Sequence, residues 1–198
     1  MSKKDIQPIP MNPAPEKQQE KTQAQADYES GMDFFTKGEF AQAAGFFHNA
    51  LIGFEQEGNR QGMANANDKL GDVCKSRNEY DKALVYYETA AEICKEFDDV
   101  FSTMSLSGKQ AECLSSQGKY KDAINICLDL LETHQKMRNP DSSVKTLLII
   151  ADIYQKAGNI DGCIDAYKTA ASIHANFGHV NAARSLQEKI AALETNNS

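Results

Sequence analysis

The sequence predicts an all-α solenoid: four helical hairpins in series, closed by a further helix. Three observations carry this. A six-residue signature returns every 40 residues, four times, without an insertion. Residues 25–139 contain no proline and are rich in Ala, Leu, Lys, Glu and Gln, which favour helix. Small and large apolar residues also recur at helical spacing on both sides of every signature, as packed helix pairs require.

The first element is a tail. Four of the five prolines (Pro8, Pro10, Pro13 and Pro15) stand there, followed by a Glu, Lys, Gln and Thr run to Gln23. So little apolar surface is available that residues 1–24 are expected to be disordered or partly extended. The tail carries a net charge of +1, which leaves −8 of the chain's −7 total on the body from residue 25 onward.

Hairpin one, about residues 25–57, turns at Gly38-Glu39-Phe40-Ala41-Gln42-Ala43. Hairpin two, 58–97, turns at Asn78-Glu79-Tyr80-Asp81-Lys82-Ala83, and hairpin three, 98–137, at Gly118-Lys119-Tyr120-Lys121-Asp122-Ala123. Hairpin four, 138–177, carries the weaker copy Gly158-Asn159-Ile160-Asp161-Gly162-Cys163. Gly or Asn in the first place suits a left-handed helix end. The Phe, Tyr or Ile two residues on can clamp one helix to the next, and the alanine five residues on lets backbones approach closely.

Upstream of the turns stand Gly31, Gly71, Ala111 and Ala151, with Phe34, Cys74, Leu114 and Tyr154 three residues later. Downstream stand Phe47, Tyr87, Cys127 and Tyr167, then Ala50, Ala90, Leu130 and Ala170. Between hairpins, Gly58-Asn59 and Gly178-His179 read as helix ends, and Asp98-Asp99 and Asn139-Pro140 as helix starts. The last element, about 179–194, repeats the Ile150-Ala151 register as Ile190-Ala191 and is expected to cap the open end of hairpin four.

These in-phase columns resemble the tetratricopeptide repeat family over about residues 25–194. The forty-residue unit is similar to the elongated variety seen in kinesin light chains and spindle-orientation adaptors. Two features depart from the family pattern. Asp27, Asn67, Ser107 and Leu147 occupy the column where Trp is often found, and Cys163 replaces the usual alanine. The resemblance implies a right-handed superhelix whose concave groove is lined by the first helix of each pair. On that geometry the candidate groove residues are Tyr28, Met32 and Phe35 from repeat one, and Asp68, Asp72 and Lys75 from repeat two. Repeat three adds Glu112 and Ser115, and repeat four Asp152 and Gln155.

The central column, Met32, Asp72, Glu112 and Asp152, predicts an acidic line along the groove. Such a line would receive a protein or peptide partner that is basic or amide-rich with an apolar anchor. Solvated helix faces often carry Asp and Glu as well, and that reading stays open. Relatives that bind a chaperone's C-terminal carboxylate use Lys and Asn at these columns. Carboxylates, Tyr, Gly and Leu stand here instead, which disfavours that role. Tyr28, Met32 and Phe35 would form an apolar patch, either packed on the second helix or free for an interface. Ile6, Ile9 and Met11 of the tail, an apolar client, or a second copy are its candidate partners. The alternative function is therefore a self-associating scaffold subunit, a homo-oligomer joined through repeat one.

Other classes are excluded by charge and motif. A net −7 with an isoelectric point near 5.1 and no basic patch disfavours nucleic acid. No apolar run is long enough to insert into a membrane, and the start, Met1-Ser2-Lys3-Lys4-Asp5, leads into prolines rather than a signal segment. Five cysteines without regular spacing fit a reducing, cytoplasmic setting. Cys94, His134 and His174 share a column, but neighbouring repeats are about 8–10 Å apart, too far for one metal ion. Cys74, Cys127 and Cys163 fall on core columns, and Cys94 and Cys113 are less clearly placed. With no phosphate loop, nucleophile elbow or zinc helix, the chain reads as a non-enzyme that needs no cofactor.

Overall fold

The computed structural model describes residues 21–196, and within them the helices follow one another in strict antiparallel succession. They are α1 (Gln23–Thr36), α2 (Phe40–Gln56), α3 (Arg60–Ser76), α4 (Tyr80–Glu96), α5 (Val100–Ser116), α6 (Tyr120–Lys136), α7 (Pro140–Lys156), α8 (Ile160–Asn176) and α9 (Val180–Asn196). Every helix from α2 onward is 17 residues long, so the hairpins that start at Arg60, Val100 and Pro140 follow one another at 40-residue intervals, and only the shorter α1 departs from this. Each helix packs on the one before it and the one after it, in the nearest-neighbour manner of a solenoid. No strand occurs among the described residues. No described helix is long and apolar enough to cross a membrane. The expected tail lies outside the described residues up to position 20. Its last two positions are helical, because Thr22 caps α1 by accepting from the Gln25 amide at 3.2 Å.

Every turn has one geometry. A single left-handed residue ends the first helix, and the next residue opens the second. Gly38, Asn78, Gly118 and Gly158 take this conformation at the hairpin turns, with φ of 77°, 60°, 76° and 72°. Gly58, Asp98, Arg138 and Gly178 take it between hairpins, with φ of 67°, 54°, 52° and 76°. The expected division into helix ends and helix starts is thus corrected: each of these turns is both. Asp98 is an end, while Asp99 is a start whose carboxylate accepts from the Ser102 amide at 3.0 Å. Asn59 and Asn139 do the same for Gly62 at 2.9 Å and Ser142 at 3.1 Å.

The core runs along the array between the two helices of each pair. Ala43, Ala83, Ala123 and Cys163 are all fully buried, as are Phe47 and Tyr87. Glycine stands where the ring facing it is fully enclosed: a methyl group on Gly31 would lie 2.6 Å from the Phe47 ring. Gly71 faces Tyr87 in the same way. In repeat three the facing residue is the smaller Cys127, and alanine fits at Ala111. Repeat four differs: Ala151 is fully buried in the column that faces Tyr167, and that ring is only half-buried, so it is not enclosed as Phe47 and Tyr87 are.

A candidate partner face on the odd helices

Residues of α3, α5 and α7 meet along one face of the array. Asp68 and Asp72 stand one turn apart on α3. Lys109 reaches them from α5, at 2.5 Å from Asp68 and 2.8 Å from Asp72. Lys69 closes the group from its own helix at 3.0 Å from Asp72 and 3.4 Å from Asp68. Below it, the buried Tyr87 donates its phenol to Asp72 Oδ1 at 2.9 Å, with the Lys109 ammonium 5.4 Å from the ring centre. Burial alone would raise the Asp72 carboxyl, but Lys109 and then Lys69 outweigh it and hold the group below its usual range. Burial, together with the Asp72 charge, pushes the Tyr87 phenol far upward. Two carboxylates and two ammonium groups thus make a balanced bolt between repeats two and three.

The other two acids of the central column are paired as well. Lys75 holds Glu112 across the repeat boundary at 2.8 Å, and Lys156 holds Asp152 one turn away at 2.7 Å. The predicted acidic line is therefore corrected to a line of ion pairs. Asp72 and Glu112 take their lysines from a different column in the neighbouring repeat. Reading one column at a time hides those lysines. Pairing Asp72 with the column three residues earlier in the next repeat would have exposed Lys109.

The pairs differ in exposure, which sets the enclosed Asp72 bolt apart from two pairs open to solvent. The Asp72 side chain is 13% exposed, whereas Glu112 and Asp152 are 52% and 57% exposed. Between α5 and α7 lies a cleft of about 490 Å³, bounded by Glu112, Ser115, Ser116, Leu148, Asp152 and Lys156, with Ile149 and Ile153 behind. Ser115 is buried and its hydroxyl has no hydrogen-bond partner among the described residues. The structure thus brings Glu112, Ser115 and Asp152 to one cleft. Lys75 joins its upper rim through Glu112. Gln155 is exposed further along α7 and does not line the cleft.

Repeat one is different. Tyr28, Met32 and Phe35 are half-buried and pack with Phe47, Leu70 and Val73 into the first core cluster. Tyr28 tilts over Phe47 at 5.6 Å between ring centres, and Phe35 over Phe40 at the same separation. They pack inward on α2 and α3, and none is among the exposed large apolar residues. His174 lies with its Nδ1 3.2 Å from that of His179 across the α8–α9 turn, and no group of three metal-binding side chains occurs among the described residues. Cys94, Cys113, Cys127 and Cys163 are buried, and burial pushes the Cys113 and Cys127 thiols up to about 11.

Comparison with known proteins agrees with this architecture. Residues 22–96 match the family described as Tetratricopeptide repeat. No curated protein matches the chain in sequence. Among solved structures, BtubC (BKLC) from P. vanneervenii superposes with a TM-score of 0.70 at 18% identity, over 78% of this chain and 64% of that one. A Podospora anserina protein of kinesin light chain type, with nearly identical TPR-like repeats, superposes at 0.66 and 12% identity, over 87% and 95%. The Rap conjugation gene regulator of plasmid pLS20, in complex with a Phr peptide, superposes at 0.64 and 14% identity, over 87% and 53%. The chain spans under two thirds of the first and third of these. By sequence over residues 22–96 and by fold beyond them, it is a tetratricopeptide-like solenoid.

Proposed function

We propose that this chain is a non-catalytic interaction module that holds a segment of a partner protein in the cleft between α5 and α7. The observation that carries the reading is the composition of that cleft. It has an apolar floor at Leu148, Ile149 and Ile153, two exposed carboxylates, and a buried hydroxyl without a partner. Exposed ion pairs contribute only about 0–1 kcal/mol. A lysine or arginine of the partner can therefore displace Lys75 from Glu112, or Lys156 from Asp152, at little cost. The bolt around Asp72 offers no such exchange, because both of its lysines are themselves largely enclosed. The partner is accordingly a basic or amide-rich segment with an aliphatic anchor, read by repeats three and four. A Rap regulator that holds a peptide on the same fold lends support. Five free cysteines support a reducing compartment such as the cytoplasm.

The test is selection from a displayed random peptide library. Enriched peptides are expected to place Lys or Arg beside Leu, Ile or Met. They should lose binding to Leu148→Asp and to the double variant Glu112→Lys, Asp152→Lys, with helical circular dichroism unchanged. Peptides that bind both variants as well as they bind the original chain would sink the reading.

A further inference from the structure

Among the described residues, six of the nine exposed large apolar side chains sit at three successive inter-hairpin turns along one edge of the array. Phe97, Met137 and Phe177 occupy the same position in repeats two, three and four, and are 50%, 40% and 60% exposed. Val100 and Phe101 join the first, and Val180 joins the third. These turns recur once per repeat along the same edge of the solenoid, so the six residues line one edge rather than scattering over the surface.

A hole lies beside one end of this ridge. A cleft of about 420 Å³ opens between α5 and α6, lined by the apolar Val100, Met104, Ile126 and Leu130 and by four charged side chains, Asp98, Asp99, Asp129 and Lys95. It exists because Ser107 is too small to fill its column. In repeat four the same column holds Leu147, which is 5% exposed. In repeat two it holds Asn67, buried and bonded to the Met63 carbonyl at 2.8 Å.

The two ends of the ridge also differ in charge. At the α4–α5 turn Glu92, Asp98 and Asp99 outnumber Lys95, since Glu96 is taken by Arg60. Around Phe177 the segment 166–187 holds no carboxylate, while His174, His179 and Arg184 stand nearby. At the middle turn Arg138 and Asp141 balance.

We infer that this edge pairs with a second copy of the chain, antiparallel, so that Phe177 of each copy enters the α5–α6 cleft of the other. The acidic rim of the cleft then meets Arg184 and the histidines beside the incoming ring. A two-fold axis passes near Met137, where Arg138 of one copy faces Asp141 of the other. The contact is isologous and closes at two copies, because knob and hole sit at opposite ends of one ridge. It lies at the N-terminal ends of the odd helices, whereas the peptide cleft lies toward their C-terminal ends. The two surfaces can therefore fail or succeed independently.

Sedimentation velocity across the micromolar to submillimolar range tests the pairing. A dimer is expected for the original chain. Phe177→Asp should weaken it about 30-fold or more, as loss of a buried aromatic anchor does. Ser107→Leu fills the cleft as repeat four does, so it should abolish the dimer while leaving the helical signal and melting temperature intact or higher. This variant separates pairing from folding. Asp98→Arg and Arg184→Asp should each weaken the dimer and together restore it. Position 98 accepts arginine because Arg138 already adopts the same left-handed conformation. A monomer throughout the range overturns the inference. So does a dimer that survives Ser107→Leu, or a charge swap that fails to restore it.

Discussion

At the scale of single residues, volume and charge are matched one contact at a time. Gly71 shows the first. A methyl group there collides with the Tyr87 ring, which is fully enclosed and cannot retreat. Gly71→Ala is expected to lower stability by about 1–2 kcal/mol, the cost of overpacking less the gain in helix propensity. Gly45 sits in α2 with open space above it, so Gly45→Ala should raise stability by about 0.5–1 kcal/mol. Urea unfolding of the two variants reads both signs. Asp72 shows the second. Its carboxyl titrates below the ordinary 3.8 because Lys109 and Lys69 outweigh its burial. The folded state holds the proton less tightly than the unfolded one. The stabilisation is therefore complete above about pH 4 and is lost as pH falls through the folded value. Asp72→Asn should flatten the acid limb of stability against pH and lower the neutral plateau. The buried thiols behave as core. With Cys113 and Cys127 raised to about 11, neither should react with a thiol reagent at neutral pH until the chain unfolds.

At the scale of helices and turns, the array repeats one link with varied chemistry. Asn59, Asp99 and Asn139 each satisfy an amide that the helix itself leaves unpaired. Replacing any of them with alanine should cost about 1 kcal/mol. Glu39 occupies the equivalent place before α2 without a side-chain cap, so Glu39→Ala should change stability by only a few tenths. Arg138 holds a left-handed conformation that glycine takes at Gly58 and Gly178. Arg138→Gly should therefore stabilise the fold by about 1 kcal/mol, and thermal melts compare all five variants.

This is also the scale at which the sequence was most legible. Gly38, Asn78, Gly118 and Gly158 announce their turns by residue type, because glycine has no Cβ to clash and the short polar side chain of asparagine bonds locally in the left-handed conformation. Arg138 announces nothing by type; only its column with Gly58, Asp98 and Gly178 reveals it. The partner face was legible as columns of acids but not as ion pairs, because Lys109 answers Asp72 from another column of another repeat. The apolar ridge was missed because Glu57 breaks its column in repeat one.

At the scale of the whole molecule, contacts are almost wholly between sequence neighbours, so stability is distributed along a line. α9 closes that line, with Leu186 packed against Val144, Leu147, Ala170 and Ala171. A chain ending at Gly178 leaves this apolar face open. Hydrogen exchange should then accelerate in α7 and α8 while α3 and α4 keep their protection. A uniform loss across the array would instead mean that the repeats unfold as one cooperative unit.

The constancy of the link has a consequence for inheritance. Since equivalent turns recur every 40 residues, an unequal exchange between two copies of the coding sequence preserves both reading frame and helix phase at any equivalent point. Packing then decides which products survive. A crossover inside a hairpin can place a helix carrying Ala111 opposite one carrying Tyr87, a small residue too large for its new ring. A crossover at Gly58, Asp98, Arg138 or Gly178 moves each matched pair intact. The lineage of such arrays should therefore lengthen and shorten by whole hairpins, cut at the turns between them.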